Sequence, residues 1–346
     1  MLECVPNFSE GRDLIKIEAI AAEIKKIKDV KLLHIDTSYD ANRTVMTFAG
    51  EHQAVVEAAF QAVKKAAELI DMRNHHGVHP RFGATDVLPL VPVSGITMEE
   101  TIVYAHKLGE RIGSELGIHV FCYEYAAFDE KRRNLANCRA GEYENLPRKL
   151  ADPKWKPDFG PVEFNEKSGA VAVGARNFLI AYNVNLATND VNIAKAIAAD
   201  IRESGKWTAV DELTKPLAGP TDSSVSRKIH VPGTFKGLKA IGWYLPEIGR
   251  VQVSTNITDM HQAPVHLVFE AIRQKALQYG TRVTGSEIIG LVPLEVFLAA
   301  GKFFFPECNV TALEKDEMLF KLVKNLGLSE LSEFDYPKRI LEFFFK

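Results

Sequence analysis

Apolar and polar positions along the chain switch between a helical period and strand-like runs, and each switch marks an element. From Glu51 to Ile70 the apolar Val56, Phe60, Val63 and Ala67 fall at helical spacing, with Glu57, Gln61, Lys64 and Glu68 on the opposite face. This predicts an amphipathic helix. The same residue types recur at the same spacing as Val265, Phe269, Ile272 and Ala276, 209 positions later. Beyond the first helix, Asp86-Val87-Leu88-Pro89-Leu90-Val91-Pro92-Val93 reads as an apolar strand, echoed after the second by Glu287-Ile288-Ile289-Gly290-Leu291-Val292-Pro293-Leu294. Two matched elements in the same order make an internal repeat.

The flanks extend the repeat. Val30 to Asp36 and Thr44 to Phe48 read as strands before the first helix, as Lys239 to Leu245 and Val251 to Ile257 do before the second. Each half opens with a further strand and helix: Leu2 to Val5 and Leu14 to Lys26 in the first, Phe178 to Leu186 and Val191 to Arg202, capped by Asp190, in the second. The order is β-α-β-β-α-β twice. This predicts an α/β fold of the α+β sandwich type, built from two similar ferredoxin-like subdomains over residues 1–175 and 176–346. Each would be a four-stranded sheet with both helices on one face. The bare faces would then bury against each other, sheets facing, with the ligand site in the seam.

The repeat also isolates a difference. Ala67 and Asp86 are 19 positions apart, Ala276 and Glu287 only 11, so the first half carries 8 more residues between helix and strand. These belong to His75-His76-Gly77-Val78-His79-Pro80-Arg81-Phe82-Gly83, which holds three of the chain's ten histidines. Histidine exchanges protons near neutral pH, and glycine and proline fix the backbone that presents it. The second half makes the same connection without the loop, which argues for chemistry rather than packing. A metal site does not fit: there is no HExxH helix, and Gly77 and Pro80 disfavour any helix. His75 and His76 are expected to be exposed bystanders, and His79, before Pro80 and beside Arg81, to be the proton-transfer group. The chain has no GxSxG elbow, phosphate loop or dinucleotide fingerprint.

Composition narrows the class. With 346 residues, 46% hydrophobic and 25% charged, the chain suits a two-domain globular protein. A net charge of -3 gives no overall attraction for nucleic acid. The absence of a leader-like amino terminus and of a membrane-length apolar stretch leads to the expectation of a cytoplasmic protein. Cys4, Cys122, Cys138 and Cys308 form no CxxC pair, so neither a zinc ribbon nor a disulfide framework is expected. Tyr123 to Pro161 is the one notably basic stretch, with Lys131, Arg132, Arg133, Arg139, Arg148, Lys149, Lys154 and Lys156. It reads either as a solvated linker or as the counter-charge for a carboxylate-bearing ligand. Ser204 to Gly237 reads as a surface insertion.

With the histidine loop, Glu3-Cys4-Val5-Pro6-Asn7-Phe8-Ser9-Glu10-Gly11, Asn42-Arg43-Thr44-Val45, Arg139-Ala140-Gly141-Glu142-Tyr143-Glu144, Pro157-Asp158-Phe159-Gly160-Pro161 and Ala240-Ile241-Gly242-Trp243-Tyr244-Leu245 in view, the chain resembles the glutamate formimidoyltransferases nearly end to end. It also resembles the formiminotransferase part of formiminotransferase-cyclodeaminase. The resemblance implies transfer of a formimidoyl group from N-formimidoyl-L-glutamate to tetrahydrofolate, in histidine breakdown and one-carbon metabolism. It implies a cytoplasmic homodimer with a charged tunnel between its subdomains, tetrahydrofolate as a co-substrate that can carry a polyglutamate tail, and no metal. The family's catalytic base, the second histidine of His-x-Gly-x-His-Pro-Arg, falls on His79. Its folate-binding segment falls on Gly160, Pro161, Val162, Glu163, Phe164, Asn165, Glu166, Lys167, Ser168 and Gly169. For the same chemistry, Asp36 is expected to orient an imidazole or the pterin, Asn42 and Arg43 to contact substrate, and Arg81 to clamp a substrate carboxylate. Two other readings stand beside this one: formyl transfer between glutamate and folate at the same site, and a folate-binding protein without turnover. A metal-dependent hydrolase is the weakest.

Overall fold

The structure is a computed structural model that describes residues 1–209, 228–246, 249–307 and 312–345. It divides into two compact units, Met1–Phe178 and Leu179–Lys346.

The first unit holds a seven-stranded sheet. Its strands are β1 (Leu2–Cys4), β2 (Asn7–Phe8), β3 (Val30–Ser38), β4 (Arg43–Gly50), β5 (Thr85–Pro92), β6 (His119–Glu124) and β7 (Ala170–Ala175). β1 and β2 are two pieces of one strand position, split at Pro6, which has no N–H to give the ladder. That position lies between β4 and β5, and β3 is the edge beyond β4, as a split βαβ order requires. The expected four-stranded sheet is too small here. β7 and β6 continue it from β5, both parallel to their neighbours. The extra crossover is helix α3 (Met98–Leu116), which follows α1 (Leu14–Lys25) and α2 (His52–Leu69). A Thr97–Glu100 capping box starts α3, and Gly117 at φ +63° ends it. Residues of all three helices, such as Ile20, Val63 and Leu108, share one core with Leu2, Phe8, Phe48 and Leu88 of the sheet.

Tyr123 to Pro161 is not a linker between halves. It is a helical excursion between β6 and β7 that packs Cys138, Leu146 and Leu150 on Phe82, Val87, Phe121 and Tyr123. Two of its basic residues are internal. Arg132 pairs with Asp158 and Lys149 donates to the carbonyls of Asn137, Cys138 and Ala140, its ammonium pushed down to about 8 by burial.

The second unit has the ferredoxin-like sheet, with β11 (Leu238–Leu245), β12 (Arg250–Ile257), β8 (Ile180–Leu186) and β13 (Val283–Ile289) side by side and every pairing antiparallel. Asp190 caps the helix Val191–Ile201 as expected, accepting from Asn192 N–H. β13 lies earlier than the repeat suggested. The Leu-Val-Pro that ends β5 instead precedes the helix Leu294–Phe304, with Pro293 at its N-cap. The helix-to-strand connection is therefore residues 279–282 here against 70–84 in the first unit. Of the insertion, β9 (Lys206–Ala209) and β10 (Lys228–Val231) form an antiparallel pair. Residues 210–227 and Cys308 lie outside the described residues. Cys4, Cys122 and Cys138 are buried free thiols.

Candidate active site

The site is assembled where sheet regularity fails. Pairing from β2 to β5 steps from Val87, opposite Asn7, to Thr85, opposite Phe8, so Asp86 is the extra residue of a bulge. A bulge re-aims its side chain. The fully buried Asp86 carboxylate accepts from Arg43 Nη1 at 2.6 Å, Arg139 Nη2 at 2.8 Å and the Phe82 N–H at 3.1 Å. Burial alone would raise its pKa; the two guanidiniums outweigh that and hold it below the usual carboxylate range. Arg43 gives its Nε and Nη2 to Asn7 Oδ1.

His79 lies in the field of this cluster. Its Nδ1 is 2.7 Å from the Pro80 carbonyl, which can only accept. Nδ1 therefore carries the proton, and Nε2 is left with the lone pair. Burial, then the guanidiniums of Arg43 and Arg139, push its pKa well below the ordinary imidazole value, and Asp86 opposes them. At neutral pH the ring is an unprotonated base.

His75 overturns the expectation of an exposed bystander. It is 5% exposed. Its Nε2–H donates to the Asn42 carbonyl at 2.8 Å, and its Nδ1 accepts from Arg81 Nε at 3.2 Å. It is a neutral brace that ties the loop to the β3–β4 turn. His76 is exposed, as expected. Asn42 is the other half of the brace. It adopts φ +46°, a left-handed conformation that asparagine tolerates, accepts from Gly11 N–H and donates to the His76 carbonyl. Gly77 is required beneath it, since a Cβ there would lie 2.2 Å from the Ala41 carbonyl.

Arg81 has a different employment from the substrate clamp expected of it. Its five N–H groups meet five acceptors within the protein: His75 Nδ1, the His75 carbonyl, Glu142 Oε2 and both carboxylate oxygens of Glu144. A cavity of about 360 Å³ opens beside this clasp, lined by His76, Gly77, Arg81, Gly141, Glu142 and Glu144. His79 is not in its wall. Asp36 stands on β3 opposite Val45, 3.5 Å from His34 Nε2.

The segment Gly160–Gly169 is laid along the same loop. Ala84 N–H donates to the Ser168 carbonyl, Ala170 N–H to the Phe82 carbonyl, and Gly83 bridges Gly169. The approach is so close that a Cβ on Gly83 would lie 1.9 Å from the Ala170 carbonyl. Buried His119 fixes the segment's shape: its Nδ1–H donates to the Pro161 carbonyl and its Nε2 accepts from Asn165 N–H. Phe164 packs against Tyr143, whose hydroxyl donates to the Glu166 carbonyl. Val162, Glu163, Glu166 and Lys167 stay exposed.

A profile described as the formiminotransferase domain, N-terminal subdomain, matches residues 1–176, and one described as the formiminotransferase domain matches residues 181–346. The chain belongs to the formiminotransferase family. The chain is 37% identical to a glutamate formimidoyltransferase of Streptococcus pyogenes serotype M1, over 99% of its own length and 97% of the relative's. It is 39% identical to a glutamate formimidoyltransferase of Thermoplasma acidophilum over 90% and 95%. It is 43% identical to the formimidoyltransferase-cyclodeaminase of Gallus gallus over 99% of its own length, and spans 59% of that protein.

In this member of the formiminotransferase family, residues that the sequence did not single out by role complete the candidate site. Asp86, His119 and the run that holds Arg139, Glu142 and Glu144 are three separate segments, and only the Arg139–Glu144 run carries a local signal. Among the described residues no group of three His, Cys, Asp or Glu side chains is placed to hold a metal ion, and no helix is long and apolar enough to cross a membrane.

Proposed function

We propose that the protein transfers the formimidoyl group of N-formimidoyl-L-glutamate to N5 of tetrahydrofolate, giving 5-formimidoyltetrahydrofolate and L-glutamate. N5 attacks the amidine carbon and forms the new C–N bond. His79 Nε2 takes the N5 proton as the tetrahedral intermediate forms. The same nitrogen returns that proton to the glutamate amine as its C–N bond breaks. The observation that carries this reading is the His79 geometry, with Nδ1–H committed to the Pro80 carbonyl and Nε2 free of a proton at neutral pH. Such a base contributes about 100- to 10,000-fold, and holding the two substrates together supplies much of the rest. The Gly160–Gly169 segment, joined to the loop through Gly83, is the proposed folate contact, and the resemblance adds a folate that can carry a polyglutamate tail. A cytoplasmic homodimer belongs to the same reading on the strength of the resemblance.

The test is an assay of purified protein with tetrahydrofolate and either N-formimidoyl- or N-formyl-L-glutamate. Formimidoyl transfer that falls at least 100-fold in His79→Ala, with tetrahydrofolate binding intact, is the expected result. Preference for the formyl donor would assign the neighbouring reaction, binding without transfer would make the protein a folate carrier, and full activity of His79→Ala would remove the assigned base.

A further inference from the structure

Hydrogen-bond accounting separates the three arginines of the site. Arg81 has spent all five N–H groups on the protein. Arg43 has committed Nε, Nη1 and Nη2 to Asn7 and Asp86. Among the described residues, the Arg139 guanidinium donates to Asp86 alone, through Nη2. Its Nε is buried with no partner, while 14% of the side chain remains open. The charge count agrees. Among the described residues, two guanidiniums share one carboxylate, with His79 neutral, so the cluster carries one positive charge in excess in a largely buried place. A guanidinium edge of this kind pairs best with an oxyanion.

We propose that Arg139 holds the α-carboxylate of the formimidoyl donor and is the residue that selects an α-amino acid as the carrier of the formimidoyl group. This rests on the transfer reading above. The α-carboxylate is attached to the carbon bearing the leaving nitrogen, and that nitrogen is bonded to the amidine carbon. An arginine beside the base therefore reaches this carboxylate rather than the γ-carboxylate at the far end of the side chain. Folate offers its pterin carbonyl oxygen near N5, but a neutral oxygen leaves the excess charge uncompensated. An anion on Arg139 has a second effect. Among the described residues, the charged groups that bear on His79 include Arg43 from β4, Asp86 from β5 and Arg139 from the helix Leu135–Arg139, beside the Pro80 carbonyl, and a bound carboxylate cancels part of the cationic field that depresses the ring. Substrate binding thus makes His79 a stronger base.

The experiment compares N-formimidoyl-L-glutamate with N-formimidoyl-4-aminobutyrate, which lacks the α-carboxylate, in the wild type, Arg139→Gln and Arg139→Lys. The expected wild-type preference is about 100-fold or more in kcat/KM, the range of one charge-assisted bidentate contact. Arg139→Gln should reduce it below about 10-fold, because it relaxes the field on His79 for both donors but removes the carboxylate contact from the glutamate donor only, with KM for tetrahydrofolate unchanged. Arg139→Lys keeps the charge beside Asp86 and should retain an intermediate preference, which guards against a folding defect. With the glutamate donor the acid limb of kcat should lie at higher pH than that of kcat/KM, since the former reports the bound complex. A preference that survives in Arg139→Gln, or a loss that appears in KM for tetrahydrofolate instead, overturns the assignment to the α-carboxylate. No transfer by the wild type from either donor would overturn the transfer reading itself.

Discussion

Replacing Asp86 by Asn keeps the shape of the side chain and removes one charge, at the point where the site's electrostatics converge. The carboxylate is fully buried between two guanidiniums at 2.6 and 2.8 Å. At an effective dielectric constant of about 20, each pair contributes roughly 4 kcal/mol of gross attraction. Most of that offsets desolvation, so the net worth of the cluster is far smaller than the sum. Removing one partner is another matter, because it strands Arg43 and Arg139 beside each other, and breaking a buried pair in this way costs about 3–5 kcal/mol. Against a typical total of about 5–15 kcal/mol this is a large fraction. For a unit the size of Met1–Phe178 it corresponds to a Tm lower by about 6–20 °C. The amide can still accept from Phe82 N–H, so the bulge itself should persist.

The substitution also moves a titration. Asp86 raises the His79 pKa against the two arginines. Its neutral replacement lets that pKa fall further, so the acid limb of kcat/KM should shift to lower pH. Thermal or urea melts and a pH–rate profile of Asp86→Asn measure the two effects separately. The double variant Asp86→Asn/Arg139→Gln removes one of the two stranded charges and their mutual repulsion, and should lose less stability than the two single losses combined. If Asp86→Asn melts within about 1 kcal/mol of the wild type and its acid limb stays in place, the two guanidiniums are not held by this charge and the electrostatic account of His79 fails.

Acid stability and Glu3 offer two more tests. His75, His79, His119 and His266 all have pKa values lowered first of all by burial, so below about pH 6.5 the unfolded chain binds protons that the folded one does not. Stability should be fully present above that pH and fall as pH drops, by up to about 1.4 kcal/mol per pH unit for each histidine; denaturation at pH 5.0, 6.0 and 7.5 checks this, and a flat profile refutes it. Glu3 has the opposite sign: burial raises its pKa to about 7, opposed by Arg176, so its favourable protonated form is lost as pH rises from about 4.5 through 7. Glu3→Gln should therefore stabilise the protein at pH 8, by up to about 3 kcal/mol, and leave it unchanged at pH 4.5; a loss of stability at pH 8 would show that the ionised carboxylate has a partner worth keeping.

The elements that were legible in the sequence are those whose reasons are local. The helical face of Val56, Phe60, Val63 and Ala67 and its counterpart at Val265 each define a helix from one stretch of chain, and the strands β3, β4, β11 and β12 follow from their own composition. β6 and β7 were not legible in that way. They are short and lie next to each other in the sheet although some forty-five residues separate them, and only the Thr97–Glu100 cap and Gly117 advertise the crossover that feeds them. β13 was misplaced for a physical reason. An apolar run ending in Leu-Val-Pro can finish a strand or start a helix, and what lies C-terminal to it decides which. In the site, His79 stands out locally through its neighbours Gly77 and Pro80. The burial of His75 does not, because its partner Asn42 lies 33 positions away, and Arg139 reaches Asp86 across 53.

The local rules that the first unit breaks are gathered around His79. Pro6 interrupts an interior strand position, and the chain that resumes after it places Asn7 opposite Val45, where it receives Arg43. Asp86 is an extra residue in β5 and would point into the helix-packed core if the ladder were regular; the bulge delivers its charge to Arg43 and Arg139 instead. Asn42 takes a left-handed conformation that most side chains avoid, and by doing so offers its carbonyl to His75 and its side chain to Gly11 and His76. Each irregularity costs stability where it stands, and each is repaid through a contact to the loop or to the arginines beside it. A regular sheet would bury the same apolar residues without them. The apolar pattern therefore accounts for the helix-packed face, and the departures from it account for where the base and its field of charges lie.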